Sequence, residues 1–292
     1  MKTISYAILN PGGNVTALIK TAVSKKDRIS VANILLGTPQ FKRLCVEQVG
    51  YIKEEDSQIA SNLEMANGEL CVNATRCLGA LTSKLTGKNI FNIKTSGLVG
   101  TAQIRSKRTS DNSYLTSTIF NLQEIIKKST MREPILNSQQ IPGQLIYLSG
   151  AAHFLTEWSQ LPRSTKTLFS ETNRGKSSQE IKSFSDFFRS FYNSERSLRK
   201  EDVVGFIAYR KLSNNRYRLW PLVKVNKQET IFYETACGSA TLALAYSQTK
   251  LSKNNNFEIN QPSKSVLRVS ITKEKIVISG KVTIVCEGAI AL

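Results

Sequence analysis

Hydrophobic and polar residues alternate along much of the chain in short segments, a pattern that predicts β-strands with one buried face. Many of these segments end at turn-forming sequences such as Asn10-Pro-Gly-Gly. The predicted strands are 3–9, 15–20, 41–52, 59–65, 89–93, 98–104, 144–148, 153–157, 203–209, 216–225, 230–233, 265–271, 275–278 and 282–285. The chain is therefore expected to be rich in short antiparallel strands.

Three segments place their apolar residues at helical spacing instead. Two of them, 72–85 and 238–246, each follow a cysteine directly, and the third lies within 165–200. The apolar face of the third is formed by Ile181, Phe184, Phe187, Phe188 and Phe191. A lone apolar helix among many strands is best covered when the strands wrap around it. We therefore predict an α+β fold of two similar lobes, each a curved antiparallel sheet around a central helix.

The segment 121–132 fits either a short helix or a connection, and the lobe boundary is placed near it. Residues 1–125, which include Cys71, are assigned to an N-terminal lobe that the C-terminal strand 280–292 completes. Residues 126–279 are assigned to a C-terminal lobe that carries Cys237. Since each lobe offers one cysteine at the start of a helix, the active site is predicted between the lobes.

Length and composition indicate an ordinary globular protein. With 292 residues the chain is long enough for two domains with cores of their own. It contains no run of eighteen apolar residues, and its N-terminus lacks the apolar core of a secretion signal. These features predict a cytoplasmic protein without a membrane span.

The net charge of +18, from 40 basic and 22 acidic residues, raises the question of a polyanionic partner. The basic residues are scattered rather than gathered in one tract with aromatic residues, which favours a solvated basic surface. A nucleic-acid partner is therefore not expected. A non-catalytic anion- or nucleic-acid-binding protein stays open as an alternative.

The cysteines suggest reduced thiols. Five cysteines at wide spacing do not form a disulfide framework, and a single histidine without a Cys-x-x-Cys pair argues against a metal site. Cys45, Cys77 and Cys286 are expected to be buried packing residues. Cys71 and Cys237 differ, because each begins a similar sequence, Cys71-Val-Asn-Ala-Thr and Cys237-Gly-Ser-Ala-Thr.

A cysteine at the start of a helix lies where unpaired N–H groups and the helix dipole favour a thiolate and bind anions. If the two helix starts face each other, the N–H groups of Val72 and Asn73 bind one side of a substrate carboxylate. Those of Gly238 and Ser239 bind the other side. One thiolate then removes the α-proton and the opposite thiol returns one to the other face, which inverts the carbon without a cofactor or metal. The helix termini are expected to bring the thiol pKa close to ambient pH.

Five short motifs occur in an order that resembles the diaminopimelate epimerase-like family of cofactor-independent, two-cysteine amino acid racemases, over nearly the whole chain. They are Asn10-Pro-Gly-Gly-Asn14-Val-Thr, Glu47-Gln48, Cys71-Val-Asn-Ala-Thr-Arg76, Gly150-Ala-Ala-His153 and Ala236-Cys-Gly-Ser-Ala-Thr241. The resemblance implies a free amino acid substrate, no cofactor, and a monomer or homodimer.

The resemblance also implies the site residues. Catalysis is assigned to Cys71 and Cys237. Substrate binding is assigned to Asn14, Gln48, Val72, Asn73, His153, Glu234, Gly238 and Ser239. His153 fits a structural role equally well, and Ser239 fits a helix cap better than a nucleophile.

Departures from the family pattern narrow the substrate. Where diaminopimelate epimerases hold the far end of their substrate, this chain has Met65, Ala151 and the shorter Tyr233-Glu234-Thr235. A second charged end would be unpaired there, which argues against diaminopimelate. Phrases around Cys45 and Cys71 resemble instead the histidine racemases of staphylopine-type metallophore synthesis. L-Histidine is thus the first candidate, with opine metallophore synthesis as the implied role and a diaminopimelate epimerase or another isomerase as alternatives.

Val72 stands where the family has a glycine. If that glycine is needed for a positive φ or a close approach, the valine obstructs the carboxylate and alters the substrate or abolishes activity. If the position is an ordinary helix start, Val72 narrows the pocket.

Overall fold

The computed structural model describes residues 3–53, 62–136, 138–170, 178–226, 229–252 and 254–292. The strands are β1 (Thr3–Asn10), β2 (Val15–Ile19), β3 (Val46–Lys53), β4 (Asn62–Met65), β5 (Ile90–Thr95), β6 (Ala102–Ser110), β7 (Ser113–Asn121), β8 (Ile126–Arg132), β9 (Ile135–Leu136), β10 (Gln139–Gln140), β11 (Gly143–Leu148), β12 (Ala151–Glu157), β13 (Val203–Lys211), β14 (Arg216–Val225), β15 (Thr230–Tyr233), β16 (Asn256–Asn260), β17 (Val266–Ile271) and β18 (Lys275–Ala291). The helices are α1 (Arg28–Gly37), α2 (Pro39–Arg43), α3 (Val72–Thr86), α4 (Leu122–Ile125), α5 (Arg163–Ser170), α6 (Ser178–Ser194) and α7 (Gly238–Leu251). The predicted α+β class is confirmed.

The strand pairing is the same in the two halves of the chain. From β1 to β7, successive pairs are antiparallel, parallel, antiparallel, parallel, antiparallel and antiparallel. The series β11, β12, β13, β14, β16, β17, β18 repeats this order. Helix α3 follows β4 in the first half, and α7 precedes β16 at the corresponding place in the second.

The sheet is mixed, which corrects the prediction of antiparallel sheets. Four pairs are parallel: β2 with β3, β4 with β5, β12 with β13, and β14 with β16. Each of these pairs is separated in sequence by one or more helices. A helical crossover returns the chain to the end where it started, so the strands that it joins run parallel.

The last strand, β18, links the two halves. Its first part pairs with β7 and β17, and its second part pairs with β1. The sequence pattern predicted two separate strands at 275–278 and 282–285, but Gly280 between them does not interrupt the pairing. Strand β18 therefore joins the part of the sheet that contacts α3 to the part that contacts α7.

Other element boundaries also differ from the pattern. Phe41, predicted to begin a strand, lies in α2, where the Thr38 side chain caps the helix and Pro39 occupies its first turn. Helix α1 was not predicted. The ambiguous segment 121–132 contains both a short helix, α4, and a strand, β8. Residues 59–61 of a predicted strand lie outside the described residues.

The core surrounds the two cysteine helices. Helix α3 packs against β2, β6, β7 and β18, while α7 packs against β11, β12, β16 and β17, and the two helices contact each other. Buried residues of both helices belong to one hydrophobic cluster. The predicted aromatic face of α6 is buried through Phe184, Phe187, Phe188 and Phe191. The side chain of Ile181 lies outside the described part.

No helix within the described residues is long and apolar enough to cross a membrane.

Candidate active site

The loop between β1 and β2 is shaped by three consecutive residues with positive φ: Gly12 at 95°, Gly13 at 107° and Asn14 at 55°. Both glycine N–H groups donate to the Asn10 side chain, at 2.9 and 2.7 Å. A side chain on Gly13 would come within 3.0 Å of the Ala236 Cβ. The loop thus lies against the second cysteine segment and fixes the position of Asn14.

Both cysteines are the N-cap residues of their helices, with nearly equal backbone angles: φ −113° and ψ 104° for Cys71, φ −124° and ψ 108° for Cys237. Each sulfur accepts a backbone N–H bond, from Ala74 at 3.3 Å and from Ala240 at 3.5 Å. A threonine four residues later donates to the cysteine carbonyl in each case. The repeated sequence motif therefore produces a repeated local structure.

The starts of α3 and α7 meet at one small cavity of about 60 Å³ that both cysteines line. Asn73 Nδ2 donates to the Ala236 carbonyl at 3.0 Å, and Asn14 Nδ2 donates to the same carbonyl at 3.2 Å. The cavity is lined by Asn14, Gln48, Glu69, Leu70, Cys71, Val72, Asn73, Val203, Val223, Val225, Glu234, Cys237, Gly238 and Ser239.

The two thiols have different neighbours. The Cys71 thiol donates to Gln48 Oε1 at 2.9 Å. The Cys237 thiol lies 3.5 Å from Ser239 Oγ, and the Glu234 carboxyl group is close enough to raise its pKa. The Gln48 amide oxygen accepts the hydrogen bond but is too weak a base to take the proton, whereas a carboxylate can take the proton.

Burial raises the pKa of both catalytic candidates, and the negative charge of Glu234 raises that of Cys237 further. The N–H groups of Ala74 and Ala240 act in the opposite direction with a smaller effect. The expectation that the helix termini hold the thiol pKa near ambient pH is therefore wrong for the free enzyme, since desolvation outweighs the helix N–H groups.

Glu234 provides the ionisable partner that the thiols need. Burial raises the pKa of its carboxyl group to about 7, and repulsion from Glu47 adds to the effect. Glu47 itself accepts a hydrogen bond from Thr235 Oγ1 at 2.8 Å, and Thr235 Oγ1 also accepts from the Asn14 N–H at 2.7 Å. The carboxyl group of Glu234 thus titrates near neutral pH, next to a thiol.

His153 is fully buried behind the cavity wall, and the described lining does not include it. Its Nε2 lies 2.8 Å from Ser239 Oγ, while its Nδ1 has no hydrogen-bond partner among the described residues. Burial lowers the pKa of the imidazole to about 3, so the ring is neutral. Ser239 does not cap α7, because Cys237 occupies the cap position.

Val72 is the first residue of α3, and it is not among the described residues with positive φ. Its side chain is buried against the second helix start, where a Cβ on Gly238 would be 2.8 Å from the Val72 Cβ. Of the two possibilities for Val72, the structure has the ordinary helix start, and the side chain narrows the cavity.

Seven of the eight predicted substrate-binding residues line the cavity with both cysteines; His153 is the exception. Glu69, Leu70, Val203, Val223 and Val225 were not predicted. Glu69 and Leu70 immediately precede Cys71, so their proximity was available from the sequence. The three valines come from β13 and β14, and an alternating pattern does not reveal which strand ends meet a helix start.

The remaining cysteines have different environments. Cys77 is buried as expected, and Cys286 is half-buried in β18. Cys45 is exposed and has a φ of 53°, because it turns the chain between α2 and β3; the prediction of burial was wrong. Among the residues that the structure describes, no group of three His, Cys, Asp or Glu side chains is arranged to hold a metal ion.

A second cavity of about 190 Å³ adjoins the first and shares five lining residues with it. The shared residues are Asn14, Gln48, Glu69, Val225 and Glu234. Three carboxylates line this cavity, from Glu47, Glu69 and Glu234, and no lysine or arginine does so within the described part of the chain. Met65 and Phe232 add apolar surface.

The fold is that of known racemases and related enzymes. A probable proline racemase from Agrobacterium radiobacter superposes with a TM-score of 0.63, at 11% identity, over 99% of this chain and 93% of that one. This likeness concerns the fold alone.

The sequence comparisons are more specific. The family model described as the histidine racemase CntK N-terminal domain matches residues 3–291, so the chain belongs to this family. A histidine racemase from Fusobacterium nucleatum is 23% identical over 99% of this chain and 97% of its own length. One from Staphylococcus aureus is 22% identical over 98% and 97%. The protein is an amino acid racemase, an isomerase, and the family resemblance predicted from the motifs is confirmed.

Proposed function

We propose that this racemase inverts the α-carbon of L-histidine by a two-base mechanism in which Cys71 and Cys237 are the bases. The observation that carries the proposal is the shared cavity, which is lined by both cysteines and by the first residues of both helices. A substrate carboxylate there receives N–H bonds from both helices, and their dipoles stabilise the charge that develops when the α-proton leaves.

Cys237 is the base when Glu234 holds its proton. The thiol proton passes to the adjacent carboxylate, and the resulting thiolate removes the α-proton of the substrate. Cys71, whose S–H points at Gln48, donates its proton to the opposite face. After inversion Cys237 carries the former α-proton, Cys71 is a thiolate and Glu234 is protonated. Once the product has left, a net transfer of one proton from Glu234 to Cys71 through solvent restores the starting state.

The ammonium group of the substrate has an acceptor in the cavity. Asn14 Oδ1 is buried and has no hydrogen-bond partner among the described residues, although Asn14 lines the cavity. A buried acceptor without a partner is costly unless a ligand supplies the donor. The ammonium N–H groups would supply it.

The adjoining cavity favours an imidazole side chain. Its carboxylates, from Glu47, Glu69 and Glu234, accept hydrogen bonds from an imidazole N–H and stabilise the imidazolium ion. Diaminopimelate would bring a second carboxylate to these three, and the described lining offers it no lysine or arginine. Histidine is therefore preferred, in agreement with the names of the curated relatives. A role in opine metallophore synthesis stays a prediction from the family resemblance.

The experiment that tests the proposal is α-proton exchange in heavy water with L-histidine, the other amino acids and diaminopimelate. We expect deuterium incorporation and D-enantiomer formation to be fastest with histidine. Cys71→Ser and Cys237→Ser should each reduce racemisation by more than about a thousandfold, whereas Cys45→Ser at the exposed thiol should leave it unchanged.

Two outcomes would overturn the proposal. Racemisation that survives either serine substitution contradicts the two-thiol mechanism, and fastest exchange with another amino acid contradicts the substrate. Salt-sensitive oligonucleotide binding without any exchange would favour the binding-protein alternative.

A further inference from the structure

We infer that Val72 and Gly238 form an interlocking contact that sets the separation of the two catalytic sulfurs, so that both are positioning residues. This inference rests on the two-thiol mechanism proposed above. Val72 follows Cys71 directly and Gly238 follows Cys237 directly. A contact between these two residues therefore acts on positions that are joined to each cysteine by a single peptide bond.

The contact is tight. A Cβ built on Gly238 would lie 2.8 Å from the Val72 Cβ and 2.9 Å from its Cγ1, closer than side chains approach in proteins. Both near atoms belong to a β-branched side chain that is 2% exposed and stiff at χ1. The φ of Gly238 lies outside the left-handed region, so glycine is required here for close approach alone.

A hydrogen bond crosses the junction beside this contact. Asn73 Nδ2 donates at 3.0 Å to the carbonyl of Ala236, the residue before Cys237. The fully buried guanidinium of Arg76 holds the Asn73 side chain through a bond to Oδ1 at 3.4 Å. The first helix start therefore grips the residues on both sides of Cys237, through Asn73 on one and Val72 on the other.

The mechanism explains why this separation matters. A single carbon must lie within proton-transfer distance of both sulfurs, and a displacement of about 1 Å lowers rates by about a hundredfold. Two helix starts held apart by one valine side chain have a fixed spacing. With glycine at both positions the helices could approach more closely, and with side chains at both they would be forced apart.

A double-mutant cycle tests the inference, with Gly238→Ala, Val72→Gly and the double variant compared with the unsubstituted enzyme. Each is assayed with L-histidine in heavy water for inversion and for deuterium in recovered L-histidine. We expect Gly238→Ala to lower kcat for inversion by about a hundredfold, with a smaller change in KM, because the sulfurs move apart.

The ratio of the two products separates positioning from general damage. If the sulfurs are too far apart, the first sulfur still removes the α-proton and returns a deuteron to the same face, while the second fails to donate a proton to the opposite face. The ratio of inversion to exchange therefore falls. In the double variant, glycine at position 72 removes both the Cβ and the Cγ1 that the new methyl group would meet, and inversion should recover at least tenfold over Gly238→Ala. A merely destabilised enzyme would lose inversion and exchange together.

Val203→Gly in place of Val72→Gly is the control, because Val203 lines the same cavity but none of its atoms is among those nearest to Gly238. Combined with Gly238→Ala it should give no recovery. Thermal unfolding of every variant identifies any that fails to fold. Val72→Gly alone should still lower the ratio of inversion to exchange, because glycine at both positions leaves the spacing of the helix starts unfixed.

Strictly additive effects of Val72→Gly and Gly238→Ala, or an unchanged ratio in both single variants, would overturn the inference. That result is distinct from failure of the proposed mechanism. If the proposed mechanism itself fails, the Cys71→Ser or Cys237→Ser enzyme will retain racemisation, whatever the double-mutant cycle shows.

Discussion

The two sulfurs of the cavity occupy equivalent backbone positions but differ in their proton acceptors. Gln48 accepts a hydrogen bond from the Cys71 thiol, and the Glu234 carboxyl group neighbours the Cys237 thiol and raises its pKa. An amide oxygen keeps a thiol protonated, while a carboxylate near its own pKa can exchange the proton. In the proposed mechanism, Cys237 is therefore the thiol that has a proton acceptor beside it.

Replacing Glu234 with Gln tests this asymmetry. Burial raises the pKa of Glu234 to about 7, and the carboxylate form is the one that takes the thiol proton. We expect kcat/KM of the unsubstituted enzyme to rise with pH through about 7. In Glu234→Gln, kcat/KM should fall by about a hundredfold or more, and the rise near 7 should disappear. A variant that keeps this rise would assign the titration to another group.

The same substitution should have the opposite effect on stability. The folded pKa of Glu234, about 7, lies above its ordinary value of 4.5, so the native state binds more protons than the unfolded chain between these values. Its contribution to stability is thus lost as pH rises from about 4.5 to about 7. Glu234→Gln should raise the unfolding temperature at pH 8 relative to the unsubstituted enzyme, and much less at pH 4.

At the level of elements, alternation identified strands where one face is buried, as in β17 and β18. Alternation gave the wrong element at Phe41, which is buried in α2. The Thr38 cap and Pro39 set the start of this helix, and neither is part of the apolar pattern. Alternation also could not give strand direction, because parallel and antiparallel strands share the same period of two. Direction depends on the connections, and the pattern missed α1 altogether.

The packing of β13 against His153 gives a prediction at this scale. A Cβ on Gly205 would lie 2.1 Å from His153 Nδ1 and 2.8 Å from Cε1. Gly205→Ala should therefore displace the ring, break its bond to Ser239, and lower the free energy of unfolding by about 1–3 kcal/mol. Thermal unfolding and kcat measured together should both decrease.

Gly37→Ala is the matched control for Gly205→Ala. Gly37 ends α1, and a Cβ there meets no atom within 4 Å among the described residues. Alanine is the better helix former, so this variant should be stabilised by up to about 1 kcal/mol, with activity unchanged. Equal stability losses in both variants would mean that contact with His153 is not the cause.

Over the whole molecule, the sequence predicted the features that depend on residues close together in the chain. The two cysteine segments, the positive-φ loop before Asn14 and the small residues after Cys237 were all recognisable. The walls of the cavity were not, because Val203 and Val223 come from strand ends that long-range pairing brings to the helices. The pKa of the thiols was also misjudged, since burial is a property of the assembled fold.

Strand β18 predicts that the two halves unfold as one unit. Ile284 is buried in the part of β18 that pairs with β1, while both tryptophans, Trp158 and Trp220, lie in the second half, with ring centroids 4.3 Å apart. Ile284→Ala should cost about 2–5 kcal/mol and lower the unfolding midpoint equally by tryptophan fluorescence and by circular dichroism. Val285→Ala, at an adjacent exposed position, should change the free energy of unfolding by less than about 0.5 kcal/mol, whichever signal is followed. A strand shared by both parts of the sheet transmits the loss of its packing to each part. If Ile284→Ala lowered the circular dichroism midpoint but left the fluorescence midpoint in place, the two halves would be independent folding units.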